Sequence, residues 1–172
     1  PDTPWRWHPV TVVGAGGAAR AAVMAAAQLG ASEVRVTNRT PDRATALVAD
    51  LRPACDAPLV AHPVEAAFAG LALVLQATSA GMGWSPEQPR WAALRKRATE
   101  RLATARPDAV VMDLVYRPSP TPWVEAARAA GHEAEDGLAM LVGQAAAAFA
   151  CWTGAQPPTE PMRLAALAAL AQ

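Results

Sequence analysis

The sequence predicts an α/β fold, a doubly wound parallel sheet of about six strands with helices on both faces. Three observations carry that expectation. Short apolar runs alternate along the chain with alanine-rich or amphipathic stretches of helical length. The first of these runs ends in Gly14-Ala15-Gly16-Gly17-Ala18-Ala19, a G-x-G-x-x-A pattern at a strand-to-helix junction. With 172 residues, 52% of them hydrophobic, the chain is long enough to bury the core of a single domain without metals or disulfides.

Each element has its own local reason. Residues 10–13 are an apolar run closed by glycine, which suits a buried parallel strand. Residues 18–29 are rich in helix-forming alanine and stop at Gly30. Residues 34–38 read as the second strand. Thr40-Pro41 then opens a helix to about Leu51, with threonine as cap and proline at the first helical position. Residues 59–61 form a weak third strand, 63–68 a short helix and 71–76 a strong fourth strand. Gly81, Gly83, Pro86 and Pro89 mark 77–90 as a loop, ahead of a helix over 91–105. A fifth strand at 110–114, a proline-rich turn at 118–122 and a helix to Ala130 follow. Residues 132–135 make a short sixth strand, 137–153 a long helix, and a terminal amphipathic helix runs from about Glu160.

The charge balance narrows the partners. Fifteen basic and fifteen acidic residues give a formal net charge of zero, so no global field draws the chain to nucleic acid or an acidic membrane. Any anion site is therefore local, and the Arg95-Lys96-Arg97 cluster reads as a solvated helix face. Cys55 and Cys151 stand far apart with no C-x-x-C or His-Cys clustering, so free thiols and no metal are expected. Residues 1–9 lack the pattern of a signal peptide. The most apolar window, 138–152, is interrupted by Gln144 and is shorter than the ~20 residues a bilayer needs. A cytoplasmic location follows as an expectation.

The glycine pattern points to a dinucleotide. Gly14 permits a tight turn, Gly16 lets a pyrophosphate approach the backbone, and the small Ala19 lets helix and strand pack closely. Free N–H groups at the helix start then face the diphosphate. The second strand selects the dinucleotide. NAD-binding domains place a carboxylate about twenty residues on to hold the ribose hydroxyls. Here the strand ends Thr37-Asn38-Arg39-Thr40, without a carboxylate. Arg39 offers a planar fork to a 2′-phosphate, and Arg43 adds a second cation one turn on, so NADP is the expected cofactor. The alternative leaves Thr40 a plain helix cap and both arginines on solvated surface.

At this point the residues resemble the shikimate dehydrogenase family, specifically its C-terminal NADP-binding, Rossmann-like domain. The resemblance rests on the glycine loop with Ala18-Ala19-Arg20 and on Asn38-Arg39-Thr40. It rests further on Ala77-Thr78-Ser79-Ala80-Gly81-Met82, on Asp113-Leu114-Val115-Tyr116-Arg117-Pro118, and on Asp136-Gly137-Leu138-Ala139-Met140-Leu141 with Gln144. These blocks run in family order over roughly residues 10–154. The resemblance implies that Gly14, Ala15, Gly16, Gly17 and Ala18 hold the pyrophosphate, and that Asn38, Arg39, Thr40 and Arg43 hold the 2′-phosphate end. It implies that Thr78 and Ser79 line the groove and that Leu114 and Gly137 touch the nicotinamide half, with Met140 packing nearby. Tyr116 and Gln144 would reach the substrate. Spacing agrees for the last helix, where Gly137, Met140 and Gln144 share one stripe and Asp136 stands as its N-cap. A plain core helix with Gln144 in water is the bland alternative. Tyr116, the only tyrosine, lies just past a strand's carboxyl end, where α/β folds bind ligands.

Two departures are visible. Gln76 stands where the family usually has asparagine, and the stretch 83–108 is longer and more basic than typical. The resemblance also implies an N-terminal domain carrying most substrate contacts, the proton-transferring lysine and its partner aspartate. In this chain Lys96 is the only lysine and sits in a charged helical cluster, so no catalytic residue is assigned. The implied reaction of the intact enzyme is reversible reduction of 3-dehydroshikimate to shikimate with NADPH, with this chain binding NADP(H) without turnover. Rival readings are a quinate or amino-shikimate dehydrogenase domain and a non-catalytic nucleotide-binding module. The terminal stretch 160–172 places Leu164, Leu167 and Leu170 on a narrow apolar face, suited to packing toward the other domain. That face, with Trp5 and Trp7, makes self-association into a homo-oligomer an expectation.

Overall fold

The structure, a computed structural model, describes residues 5–170. The start of the stretch searched for a leader and the last two residues of the expected terminal helix lie outside the described residues. The elements, in order, are β1 (Pro9–Val13), α1 (Gly17–Gln28), β2 (Glu33–Thr37), α2 (Pro41–Leu51), β3 (Leu59–Ala61) and β4 (Leu73–Gln76). There follow α3 (Pro89–Leu102), β5 (Val110–Asp113), α4 (Pro122–Ala129), β6 (Glu133–Glu135), α5 (Leu138–Thr153) and α6 (Thr159–Leu170). No helix among the described residues is long and apolar enough to cross a membrane.

The six strands form one parallel sheet in the order β3-β2-β1-β4-β5-β6. Winding leaves β1 in one direction towards β3 and resumes from β4 in the other, so the connections diverge above the carboxyl ends of β1 and β4. That divergence opens a crevice, the place where such sheets take ligands. Strand alternation sends side chains to two separate cores. Val10, Val12, Val34, Val36, Leu73 and Leu75 pack with Ala19 and Val23 of α1 and Leu47 and Val48 of α2. Val13, Val74 and Val111 face the other way, against Leu94, Ala98 and Leu102 of α3 and Trp123, Val124 and Ala127 of α4. Trp123, 1% exposed, stacks on Phe68 with ring centroids 6.0 Å apart, and the Arg101 guanidinium lies over both rings.

The departures from expectation are local. Residues 63–68 make turns, not a helix. Six residues are too few to repay helix nucleation, and the Ala67 carbonyl accepts the buried Thr11 hydroxyl instead of a helical N–H. Trp5 is half-buried against the first core, whereas Trp7 is 70% exposed and lies under Arg6. On α6, Leu164 and Leu167 are exposed, and Met162, Ala166 and Leu170 are the half-buried positions. The pair α5 and α6 packs chiefly on itself, and α5, apolar along most of its length, buries only Ala146 among its residues.

The second core depends on one aromatic pair. Trp123→Ala should lower the unfolding free energy by roughly 3–5 kcal/mol, measured by urea denaturation.

Candidate functional site

The site grows from the end of β1. Gly14 has φ +126° and donates its N–H to the Thr37 carbonyl at 2.8 Å. A Cβ at Gly14 would lie 2.9 Å from the Ala77 carbonyl oxygen, so the turn tolerates no side chain. Gly16 caps α1 and Gly17 is its first residue, and a Cβ on either would meet nothing within 4 Å. The backbone there faces open space. No side chain caps α1, and its first bond back to the turn runs from the Arg20 N–H to the Gly16 carbonyl at 3.0 Å. The N–H groups of Gly17 and Ala18 thus have no helical acceptor, and the positive end of the helix dipole is bare. Ala15 is half-buried, Ala18 exposed, and Ala19 fully buried against the strand.

Beside it, β2 delivers the cationic corner. Asn38, half-buried, donates from Nδ2 to the Thr40 carbonyl at 3.0 Å and shapes the turn into α2. Arg39, Thr40 and Arg43 are exposed, and neither arginine has an acidic partner among the described residues. Thr40 occupies the cap position, but its hydroxyl caps nothing. Its carbonyl takes the Arg43 N–H at 3.1 Å.

Across the crevice, β4 and β5 pair Gln76 with Asp113, both fully buried. Gln76 Nε2 donates to Asp113 Oδ1 at 3.2 Å, and Gln76 Oε1 accepts the Thr78 N–H at 2.6 Å. The Thr121 hydroxyl donates to Asp113 Oδ2 at 2.7 Å, and the Val115 N–H reaches Oδ1 at 3.1 Å. Burial pushes the Asp113 carboxyl up to about 7, against the pull of these two donors and with help from the Asp136 charge. Thr78 is half-buried, its Oγ1 accepting the Ala80 N–H at 3.2 Å, and Ser79 is exposed.

The loop after β5 closes on α5. Gly137 donates to the Val115 carbonyl at 3.1 Å, and a Cβ there would sit 2.1 Å from the Leu114 oxygen. Gly137, not Asp136, is the cap of α5. Asp136 lies one residue earlier, accepting the Leu138 N–H at 3.0 Å on one oxygen and the Ser119 hydroxyl on the other. Tyr116 lines a cavity of about 400 Å³ with Met82, Arg117, Leu141 and, from α6, Ala166 and Leu170. Met140 is half-buried and Gln144 exposed, and neither lines that cavity. The residues expected from the glycine loop, the β2 end and the loops after β4 and β5 therefore gather at the carboxyl edge of the sheet, with Gly137 beside them. Gln144 stands almost two turns further along α5. Lys96, the sole lysine, is on the exposed side of α3 and 3.9 Å from Glu100. Cys55 and Cys151 are free thiols, and the described residues include no cluster of three metal-ligating side chains. No role for Gln76, Asp113 or Thr121 as a group was expected. Their signal in the sequence was a polar residue closing each of two apolar strands.

Comparison with known proteins adds the family context. The family model described as Shikimate / quinate 5-dehydrogenase matches residues 4–104, and that described as Shikimate 5'-dehydrogenase C-terminal domain matches residues 137–167. A shikimate dehydrogenase (NADP(+)) of Dinoroseobacter shibae is 40% identical over 94% of this chain and 56% of its own length. That of Acidiphilium cryptum is 42% identical over 94% and 53%. Among solved structures, the Thermus thermophilus shikimate 5-dehydrogenase in complex with NADP(H) and shikimate superposes with a TM-score of 0.74 at 36% identity, covering 95% of this chain and 56% of that one. Quinate dehydrogenase from Corynebacterium glutamicum in complex with NAD gives 0.78 at 29% identity, covering 95% and 56%. The chain spans just over half the length of these relatives.

Two outcomes test the geometry. Gly137→Ala should cost roughly 1–3 kcal/mol of stability, because the new methyl meets backbone that cannot yield freely. A melting curve measures it. Asp113 titrates higher in the folded chain than its ordinary 3.8, so folding takes up a proton between that value and about 7. Its contribution to stability therefore falls as pH rises through that window and levels off above it. Urea unfolding at pH 5.5 and pH 8 should show a loss of about 2 kcal/mol that Asp113→Asn lacks.

Proposed function

The chain belongs to the shikimate and quinate dehydrogenase family, and from that premise we propose that it is the NADP(H)-holding part of a shikimate dehydrogenase. The observation that carries this reading is the bare glycine turn beside two arginines that have no acidic partner among the described residues. The fit to the cofactor is physical. An open backbone at Gly16 and Gly17 leaves room for a pyrophosphate, and the free N–H groups of α1 supply donors for it. Arg39 and Arg43, with Asn38 and Thr40 shaping their turn, supply charge for a 2′-phosphate. Bound there, NADPH supplies the hydride for the ring carbonyl of 3-dehydroshikimate.

The remaining assignments follow the divergence of the sheet. Thr78 and Ser79 line the groove past β4, while Leu114 and Gly137 border the nicotinamide half, with Met140 behind them. Tyr116 faces the substrate from the loop after β5. Gln144 does so from α5, and its exposure leaves it free to reach a partner surface. A general acid must stand within hydrogen-bond reach of the reacting oxygen. Lys96 does not, because it pairs with Glu100 on the outer side of α3. The family resemblance assigns the proton-transferring lysine and its partner aspartate to an N-terminal domain, so on this reading the chain alone binds NADP(H) without reducing substrate. We place this reaction in the cytoplasm, in the shikimate pathway to aromatic amino acids. The exposed Trp152 of α5 and the exposed Leu164 and Leu167 of α6 favour association with a further domain or a second copy.

One observation favours a second reading. The quinate dehydrogenase that superposes on this chain was solved with NAD. Calorimetric titration separates the two. NADPH should bind at least about tenfold tighter than NADH, and Arg39→Ala with Arg43→Ala should erase the difference while leaving NADH unchanged. Equal affinities for the unsubstituted chain would favour the NAD-dependent reading.

A further inference from the structure

We propose that Gln76, Asp113 and Thr121 are positioning residues, a buried polar hub that ties the loop after β4 to the loop after β5 and thereby shapes the nicotinamide side of the groove. The inference rests on the reading that a dinucleotide lies across the strand ends.

Register makes the hub. Gln76 and Asp113 are paired positions at the last step of β4 and β5, on the same face as Val74 and Val111. Those two valines lie in the layer beneath, where the one buried polar side chain in register is Thr11, bonded to the Ala67 carbonyl. One step on, where the loops begin, the sheet buries an amide and a carboxyl, and Thr121 brings a hydroxyl from the start of α4. Burying such groups is unfavourable unless each finds partners. Here every one does, partly in one another and partly in the backbone of the two loops and of α4. Gln76 Oε1 takes the Thr78 N–H, and Nε2 lies 3.4 Å from the Ala80 carbonyl as well as bonding Asp113. Asp113 takes the Val115 N–H on one oxygen and the Thr121 hydroxyl on the other. That hydroxyl in turn accepts the Val124 N–H at 3.2 Å and caps α4.

The anchor points define what is held. Thr78 and Ala80 belong to the loop after β4. Val115 and Thr121 bracket Tyr116 in the loop after β5, and Leu114 sits between Asp113 and Val115. Above the hub the two loops meet again, where the Gly83 N–H donates to the Arg117 carbonyl at 3.1 Å. None of the hub's hydrogen bonds reaches the glycine turn, Arg39 or Arg43. The hub's hydrogen bonds therefore hold the loops after β4 and β5 directly, and touch the other half only through the Ala77 carbonyl and the Thr78 side chain that lie against Gly14. A cluster that merely holds the fold together would affect both halves alike.

That asymmetry is the test. The chain, Asp113→Asn, Thr121→Val and Thr121→Ser are each titrated calorimetrically with NADP+ and with adenosine 2′,5′-bisphosphate, which carries the 2′-phosphate but no nicotinamide. Circular dichroism checks that each variant is folded. Asp113→Asn and Thr121→Val should weaken NADP+ about tenfold, the size of one lost hydrogen bond. The bisphosphate should be unaffected, and Thr121→Ser should restore NADP+ affinity. If Asp113→Asn does not fold, the Thr121 pair carries the same comparison. Equal weakening of both ligands, or no weakening of NADP+, would overturn the proposal. Failure of the unsubstituted chain to bind the bisphosphate would refute the NADP reading itself, and the hub's role with it.

Discussion

One tight crossing of backbone organises the functional edge of this molecule. At Gly14 the chain leaves β1 with a positive φ, hydrogen-bonded to the end of β2 and close enough to the Ala77 carbonyl that any Cβ would collide. The strand ends of β1, β2 and β4 are thereby drawn into one narrow seam. Because the turn is so tight, α1 starts immediately above it, uncapped and with its first N–H groups pointing outwards. The cationic turn after β2 then lies beside those N–H groups. The local positive character comes from this placement in a chain whose net charge is zero.

The two halves of the crevice are built by different means. On the β1–β2 side, absence of side chains does the work, since glycine leaves backbone donors bare and neither arginine has an acidic partner among the described residues. On the β4–β5 side the groove is shaped by polar side chains buried beneath it, Gln76, Asp113 and Thr121. Their satisfied hydrogen bonds hold two loops in fixed relation. The apolar layers on both faces, with Phe68 stacked on Trp123 in one of them, provide a stiff platform for both. The pair α5–α6 is different. Its helices pack chiefly on each other, and the large apolar side chains of α5 are half-buried, apart from the exposed Trp152.

Most of the architecture was legible in the sequence because two signals coincided. Apolar β-branched runs marked the strands, and glycine or proline marked where each helix began or stopped, as at Gly14, Gly30 and Pro41. The residues of the glycine turn and the β2 end were legible for the same reason, since their chemistry depends on local backbone. What failed was what depends on contacts distant in sequence. Residues 63–68 carry helix formers, yet the Thr11 hydroxyl captures the Ala67 carbonyl and Gly70 turns the chain away. The stripe through Gly137, Met140 and Gln144 was correct as helical spacing. It did not reveal that Leu141, rather than Met140 or Gln144, would face the cavity beside Tyr116. The Gln76–Asp113 pairing needed the strand order β4-β5 and its register, which no single stretch of sequence encodes.

Amide chemical shifts of the 15N-labelled chain test most directly whether one dinucleotide lies across both halves of this crevice. Saturating the chain with NADP+ should shift the signals of Gly16, Gly17, Ala18 and Arg39 on one side, and of Leu114, Tyr116 and Gly137 on the other. Shifts confined to one side, or centred elsewhere on the surface, would contradict the account.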